Sequence, residues 1–368
     1  MVTPTFNTLH TLPTLWESLK AETRDIWLYG MGNGADKILA VLRDTEIAVK
    51  GVFASDGFVR GHAFHGMPVR SFSEVCALYP ENGCVVLLSF GTARPEVLAL
   101  IENVAKRYPL FVPDVPVCES PLFDKAFFAA HEGELRRARD LLADENSKRI
   151  FDLILAYKLT GRYDLLRAAT DPTHTDRRIL ELDRVRRMAD FGAYNGDTAR
   201  EMLALAPLEF ILAAEPDKRN YRKLTEWATG VTDCRIVCHR AAIFDTAGEA
   251  AFDASGNRNA GLCTGRADFE NTVVTATADA LLAGEAVDYI KYDVEGAEAA
   301  ALRGSAETIK RCRPRLKVAC YHRSEDLFTL PLLLSDLAPA YRFYLTRAYS
   351  LPAWDMDLLC VPNTLEQL

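Results

Sequence analysis

Three short blocks constrain this chain more than anything else in it: Asp190-Phe-Gly-Ala-Tyr-Asn-Gly-Asp-Thr198, Ala214-Glu215-Pro216-Asp217 and Ile290-Lys-Tyr-Asp-Val-Glu-Gly-Ala-Glu298. Each follows a run of strand-forming residues and opens into a helix-forming one. A chain patterned in this way folds as a parallel α/β sheet whose ligand contacts gather at the carboxyl ends of the strands. In the first block, Gly192 and Gly196 permit the sharp turn and close backbone approach that a side chain would forbid. Asp190 and Asp197 put carboxylates where a phosphate would be repelled. Glu215 closes the next strand, where an acidic side chain can take two ribose hydroxyls in charge-assisted hydrogen bonds. Acidic loops with no phosphate-cradling lysine suit an adenosine carrying a cationic sulfonium, so S-adenosylmethionine (SAM) fits them better than ATP or NAD.

Around these blocks the pattern predicts strands at 188–192, 210–214, 235–238, 289–293, 316–320, 341–345 and 356–361. Helices are expected at 198–205, 218–228, 297–311 and 326–337. Between the third and fourth strands, residues 253–272 are rich in Gly, Ser, Asn and Thr. They read either as a loop offering donors to a polyol or as a plain surface excursion.

The stretch from about residue 184 to 362 resembles the FkbM family of SAM-dependent methyltransferases. The pieces that carry the resemblance are DFGAYNGDT, AAEPDKRNYRKL, HRAAIFD, TATADALL, DYIKYDVEGAEAAALRGSAETIKRCRPRLKVACYH, and Arg347-Ala-Tyr349 ahead of Asp357-Leu-Leu-Cys-Val361. Their order and spacing make the match specific. It implies a class I methyltransferase fold, seven-stranded and Rossmann-like with an antiparallel last strand. The usual family activity is O-methylation of a hydroxyl on a saccharide, glycan or secondary metabolite. Family members often carry an aromatic pair before the first strand, where this chain has Pro172-Thr-His174.

On that reading the cofactor would meet Asp190, Gly192, Ala193, Tyr194, Asn195, Gly196 and Asp197 on its methionine and ribose side. Glu215 would hold the ribose. Pro216, Asp217 and Asn220 would shape the adenosine pocket, with Ala241 and Ala242 beside adenine. Asp293 and Glu295 end the fourth strand and His322 follows the fifth, so adjacent strand ends bring them to one rim. A histidine there can accept a hydroxyl proton while a carboxylate orients it. The leading expectation uses no metal. The alternatives are a divalent ion shared by Asp293, Glu295 and His322, or a helix-capping Glu295 and a satisfied rim histidine. Lys291 receives no catalytic role.

Upstream, strands expected at 26–30, 49–55, 66–69, 84–89 and 110–112 alternate with helices at 36–43, 73–78 and 94–107. The first 118 residues therefore form a smaller, nucleotide-binding-like α/β domain. Gly30, Gly32 and Ala35 fit a G-x-G-x-x-G/A turn after a strand, with Asp56 further on as the acid that could meet a ribose. This unit resembles the N-terminal domain of PglD-type sugar acyltransferases. No lysine or arginine stands in the turn, and Asp36 opens the helix, so the unit is expected to position the acceptor or a second subunit rather than bind a nucleotide tightly. Residues 119–183 read as a helical connector, with helices near 132–144 and 148–160, and 184–368 as the methyltransferase domain.

A net charge of −8 argues against a nucleic-acid surface, which needs a basic stripe. No apolar run reaches the ~18 residues of a membrane span, and with no charged n-region and apolar h-region at the start a secretory leader is not expected. The nine cysteines form no C-x-x-C pair and sit largely in apolar runs, as reduced thiols of a cytoplasmic protein would. The runner-up function is nucleotide-sugar or NAD binding through the N-terminal glycine-rich turn.

Overall fold

The computed structural model describes residues 3–59, 61, 63–118, 120–251 and 272–363. Residues 253–271 of the glycine- and asparagine-rich excursion lie outside them. The chain builds two large sheets. The first contains β1 (Asp25–Tyr29), β2 (Gly51–Ala54), β3 (Ala63–Phe64), β4 (Met67–Ser71), β5 (Cys84–Leu88) and β6 (Leu110–Phe111), in the order β3-β4-β2-β1-β5-β6. All its pairings are parallel except β3 with β4. β2 and β5 are buried along their whole length, and β1 beyond Asp25, which is why they read as unbroken apolar runs and not as alternations. The two-residue β3 was not expected from the sequence.

The second sheet comprises β7 (Arg187–Phe191), β8 (Phe210–Ala214), β9 (Arg235–His239), β13 (Tyr289–Tyr292), β14 (Arg315–Ala319), β15 (Tyr341–Arg347) and β16 (Met356–Pro362). Between β9 and β13 a separate small sheet forms from β10 (Ala242–Ile243), β11 (Gly248–Ala251) and β12 (Thr272–Ala276). The large sheet runs β15-β16-β14-β13-β7-β8-β9, with β16 antiparallel to both neighbours. The order reverses between β13 and β7. Carboxyl ends diverge at that point, and a crevice opens.

Between the sheets lies the helix Glu145–Thr160. Asp144 caps it by accepting from the Ser147 N–H, and Gly161 ends it at φ 62. From Ile150 to Thr160 every residue is buried, so this is a core helix with no wet face. On one side the Val112 N–H donates to the Gly161 carbonyl at 2.8 Å; on the other, the Ser147 hydroxyl accepts from the Leu345 N–H at 3.1 Å. Lys158 pairs with Asp114 at 3.0 Å in this dry layer. A continuous apolar cluster runs from Phe6 and Trp27 through this helix to Phe343 and Cys360.

Three expectations change in detail. The first connector helix begins earlier, at Lys125, because Asp124 caps it through the Phe127 N–H. Short helices at Tyr163–Ala168 and Thr175–Ile179 flank the loop read at 171–175. The helix expected over 297–311 is broken into Glu298–Arg303 and Ala306–Cys312. At the break, a side chain on Gly304 would stand 2.1 Å from the Phe244 carbonyl oxygen, so the chain turns where it packs against the loop after β10. Among the described residues no helix is long and apolar enough to cross a membrane, and every cysteine is a free thiol.

Candidate active site

The crevice at the carboxyl ends of β7, β8, β13 and β14 is a cavity of about 460 Å³, within the range of small-molecule sites. One end is walled by Gly192, Tyr194, Asp197, Glu215, Asn220 and Ala242, the other by Asp293, Glu295, Tyr321, Thr92 and Trp354.

Backbone geometry makes the first end. Gly192 has φ +80, and a Cβ there would lie 1.8 Å from the Asp293 carbonyl oxygen, so only glycine lets the turns after β7 and β13 touch. Tyr194 sits at φ 46 and Glu295 at φ 53, conformations that cost non-glycine residues energy and gather at functional sites. Glu215 knits the loops together. Its Oε2 accepts from the Tyr194 N–H and its Oε1 from the Asp217 N–H, both at 2.8 Å. Burial pushes its carboxyl up to about 7, although those two amides oppose the rise.

Lys291 Nζ lies 3.5 Å from both Asp190 and Asp293. Burial disfavours its charge, but the two carboxylates outweigh that and raise its pKa. Asp190 is wholly buried and neither of its oxygens has a well-formed hydrogen bond. Burial lifts it to about 6 against the pull of Lys291. Asp293 faces the same burial, yet Lys291 and then His322 hold it below the usual carboxylate range. Glu295 moves the other way, raised by burial against the opposing effect of His322.

His322 departs from its expected place. It does not line the cavity; it lies fully buried behind Asp293 and Glu295. Its Nε2 stands 3.4 Å from Glu295 and 3.6 Å from Asp293, and its Nδ1 3.0 Å from Glu298. Burial disfavours its charge, but Glu298 and then Glu295 overcome this and raise its pKa well above the ordinary value. The imidazole is thus set back from the cavity lining, where the general base was expected to stand.

The first sheet reaches the same cavity. Gly91, Thr92 and Ala93, just beyond β5, line its wall. Thr92 exchanges backbone hydrogen bonds with Leu351 at 2.7 and 2.9 Å. A Cβ on Gly91 would fall 2.0 Å from the Trp354 ring, so that ring rests on the Gly91 backbone. Arg347, 1% exposed, shapes this loop from below: its guanidinium donates to the carbonyls of Leu166, Ser350 and Pro352. The motif containing Arg347 was visible in sequence, but its role as a loop scaffold was not.

Of the residues expected to meet a cofactor, Gly192, Tyr194, Asp197, Glu215, Pro216, Asn220, Ala241 and Ala242 line the cavity. Asp190, Ala193, Asn195 and Gly196 do not. Asp190 and Ala193 are buried beneath the turn, Asn195 accepts from Arg200, and Gly196 packs its backbone on Trp227. Thr198, Ile243, Tyr321, Ser350 and the Gly91–Ala93 wall went unforeseen, the last because nothing local marks a loop that meets its partner, Leu351, more than 250 residues away.

The other glycine-rich turn is filled by protein. A Cβ on Gly30 would meet the Phe90 ring at 2.3 Å, and one on Gly34 the Ser89 carbonyl at 2.6 Å. Asp56, the acid that might have met a ribose, accepts from the Ser73 N–H and hydroxyl at 3.0 and 2.6 Å.

The strand order, with its antiparallel β16, and the cavity at the switch point define a class I methyltransferase fold. Residues 190–344 match the family model described as the methyltransferase FkbM domain. Over nearly its whole length the chain is similar in structure to methyltransferase FkbM from Methylobacillus flagellatus KT, with a TM-score of 0.71 at 18% identity, covering 96% of this chain and 98% of that one. An rRNA methylase from Streptococcus thermophilus aligns with TM-score 0.34 and 12% identity, over 53% of this chain and 97% of that one. Fibrillarin from Aeropyrum pernix, in complex with natively bound S-adenosyl-L-methionine, aligns with TM-score 0.31 and 12% identity, over 49% of this chain and 68% of that one. No match is found among curated proteins.

Proposed function

We propose that this chain is a SAM-dependent O-methyltransferase acting on a hydroxyl of a saccharide, glycan or secondary-metabolite acceptor. The observation that carries the reading is the charge of the cavity. Among the described residues its only basic lining side chain is Lys291, which two carboxylates already claim, while Asp197, Glu215, Asp217, Asp293 and Glu295 all face in. That donor set suits a neutral ribose and a cationic sulfonium and repels a diphosphate. Glu215 would take the ribose hydroxyls, Asn220 and Ala242 would border the base, and Gly192, Tyr194 and Asp197 would border the amino-acid end.

When bound, SAM supplies an electrophilic methyl carbon and a neutral thioether leaving group, so the protein's task is alignment and proton removal. Glu295 takes the acceptor's hydroxyl proton on its carboxylate; its raised pKa brings it nearer to the proton it must hold. Asp293 stays ionised and orients the hydroxyl. His322 is a positioning residue, fixing both carboxylates from behind. Residues 1–118 act as an accessory unit, 119–183 as the connector and 184–368 as the catalytic part. The free thiols suit the reducing cytoplasm.

Calorimetric titration with SAH, NAD and a UDP-sugar tests the reading. Micromolar SAH binding with no NAD or UDP-sugar binding is expected, and the reverse order would overturn it. Methyl transfer from labelled SAM to a panel of hydroxyl acceptors then tests the base. Glu295→Gln should lower turnover by roughly 10²-fold or more while leaving SAH affinity intact. Turnover within about threefold of wild type would remove Glu295 from that role.

A further inference from the structure

Behind the cavity, on the side away from the solvent, Glu298, His322 and Asp326 each bring a ligand-type atom within 4.8 Å of the others. Glu298 opens the helix Glu298–Arg303, His322 lies in the loop after β14, and Asp326 opens the helix Asp326–Leu337. All three are buried, at 1%, 0% and 3% exposure.

Backbone amides occupy only part of each carboxylate. Glu298 Oε1 accepts from the Val294 N–H at 2.9 Å and the Gly296 N–H at 3.4 Å, and Asp326 Oδ2 accepts from the Arg323 N–H at 2.8 Å. Glu298 Oε2, fully buried, accepts nothing, and neither His322 nitrogen makes an aligned hydrogen bond despite its close neighbours. Buried carboxylate oxygens without partners are costly, and such groups are ordinarily paired or coordinate a metal.

We propose that Glu298, His322 and Asp326 form a divalent-cation site. Two carboxylates and one imidazole are a mixed oxygen and nitrogen set, suited to Mn²⁺, Fe²⁺, Co²⁺ or Zn²⁺ more than to Ca²⁺. The imidazole is already turned for it. Nδ1 faces Glu298 and Nε2 lies 3.4 Å from Glu295, so Nδ1 would meet the ion and leave Nε2–H toward a carboxylate, the usual outer partner of a ligating histidine. This set differs from the Asp293, Glu295 and His322 combination considered from sequence, because Asp293 and Glu295 face the cavity instead. The ion ties the turn after β13 to the loop after β14 and so holds Asp293 and Glu295 in place. Its role is positioning, and the site stands whether or not the chain transfers methyl groups.

The test uses the full-length protein, stripped with a chelator and titrated with Mn²⁺ followed by electron paramagnetic resonance, alongside metal analysis of the protein as purified. One ion per chain is expected. Glu298→Gln and Asp326→Asn should each weaken Mn²⁺ binding by about 100-fold or more, in variants whose circular dichroism matches wild type. Mn²⁺ should raise the melting temperature of wild type and of neither variant. Absence of any bound metal on purification together with no Mn²⁺ binding below millimolar concentration would overturn the proposal. So would wild-type Mn²⁺ affinity in a folded Glu298→Gln protein.

Discussion

Replacing Glu215 with glutamine separates two quantities that usually fall together, stability and ligand affinity. Glu215 is 6% exposed, and its carboxyl rises from 4.5 to about 7 because burial outweighs two amide hydrogen bonds. Near pH 8, keeping it ionised in the folded chain therefore costs roughly 3 kcal/mol relative to the unfolded one. Glutamine removes that cost. It also turns an NH₂ toward one of the two donors, Tyr194 N–H or Asp217 N–H, and forfeits a bond to a charged group worth about 1.5–3 kcal/mol. The terms nearly cancel, so Glu215→Gln should unfold in urea within about 1 kcal/mol of wild type at pH 8. Binding has no such compensation. With one of the ribose bonds lost, the Kd for SAH should rise about 10- to 100-fold. The pH dependence adds a second signature. The folded chain holds this proton more tightly than the unfolded one, so Glu215's contribution to apo stability is fully present below about 4.5 and lost as pH rises through about 7. SAH affinity runs the opposite way, falling as pH drops from 8 to 6 and the acceptor oxygens are protonated. Calorimetry with SAH at pH 6, 7 and 8 would read the affinity, and urea unfolding of the ligand-free chain at the same pH values the stability. A variant that binds SAH within threefold of wild type, or keeps the same pH slope, would refute the assignment.

Gly192→Ala should cost at least about 2 kcal/mol in urea unfolding, because its methyl group would collide with the Asp293 carbonyl at a φ that disfavours side chains. A loss below about 1 kcal/mol would mean that the turns after β7 and β13 part easily. Trp354→Ala should leave the SAH Kd within twofold while raising the KM or broadening the range of accepted hydroxyl compounds. A tenfold loss of SAH affinity would put Trp354 on the cofactor side instead.

The sheet that carries the cavity was legible because its central strands β7, β8 and β13 are buried over nearly their whole length and its turns need glycine. Apolar runs ending in DFGAYNGD and YDVEGAE leave little freedom in where strands stop. Side-chain direction was less legible. Asp190 and Asp197 look alike in the sequence, yet the strand turns one inward to Lys291 and the loop turns the other into the cavity. His322 shows the same limit: a histidine after a strand reads as a rim residue, and only the packing of Glu298 and Asp326 behind it reveals a sealed environment. The contribution of Gly91–Ala93 depends on docking between distant segments, which no local periodicity encodes.

The helix Glu145–Thr160 has a consequence for how the molecule can be divided. From Ile150 onward it is buried on all sides, with Lys158 and Asp114 paired in the dry layer and apolar side chains from both sheets closing over it. A cut near residue 120 would strip one set of neighbours away and present a sticky face to water, so the C-terminal part released in this way would aggregate instead of standing alone. The same shared layer makes the two sheets one cooperative unit in folding. Changes to the cavity wall are then better made by grafting the short loops at Thr92 and Trp354 than by swapping whole halves.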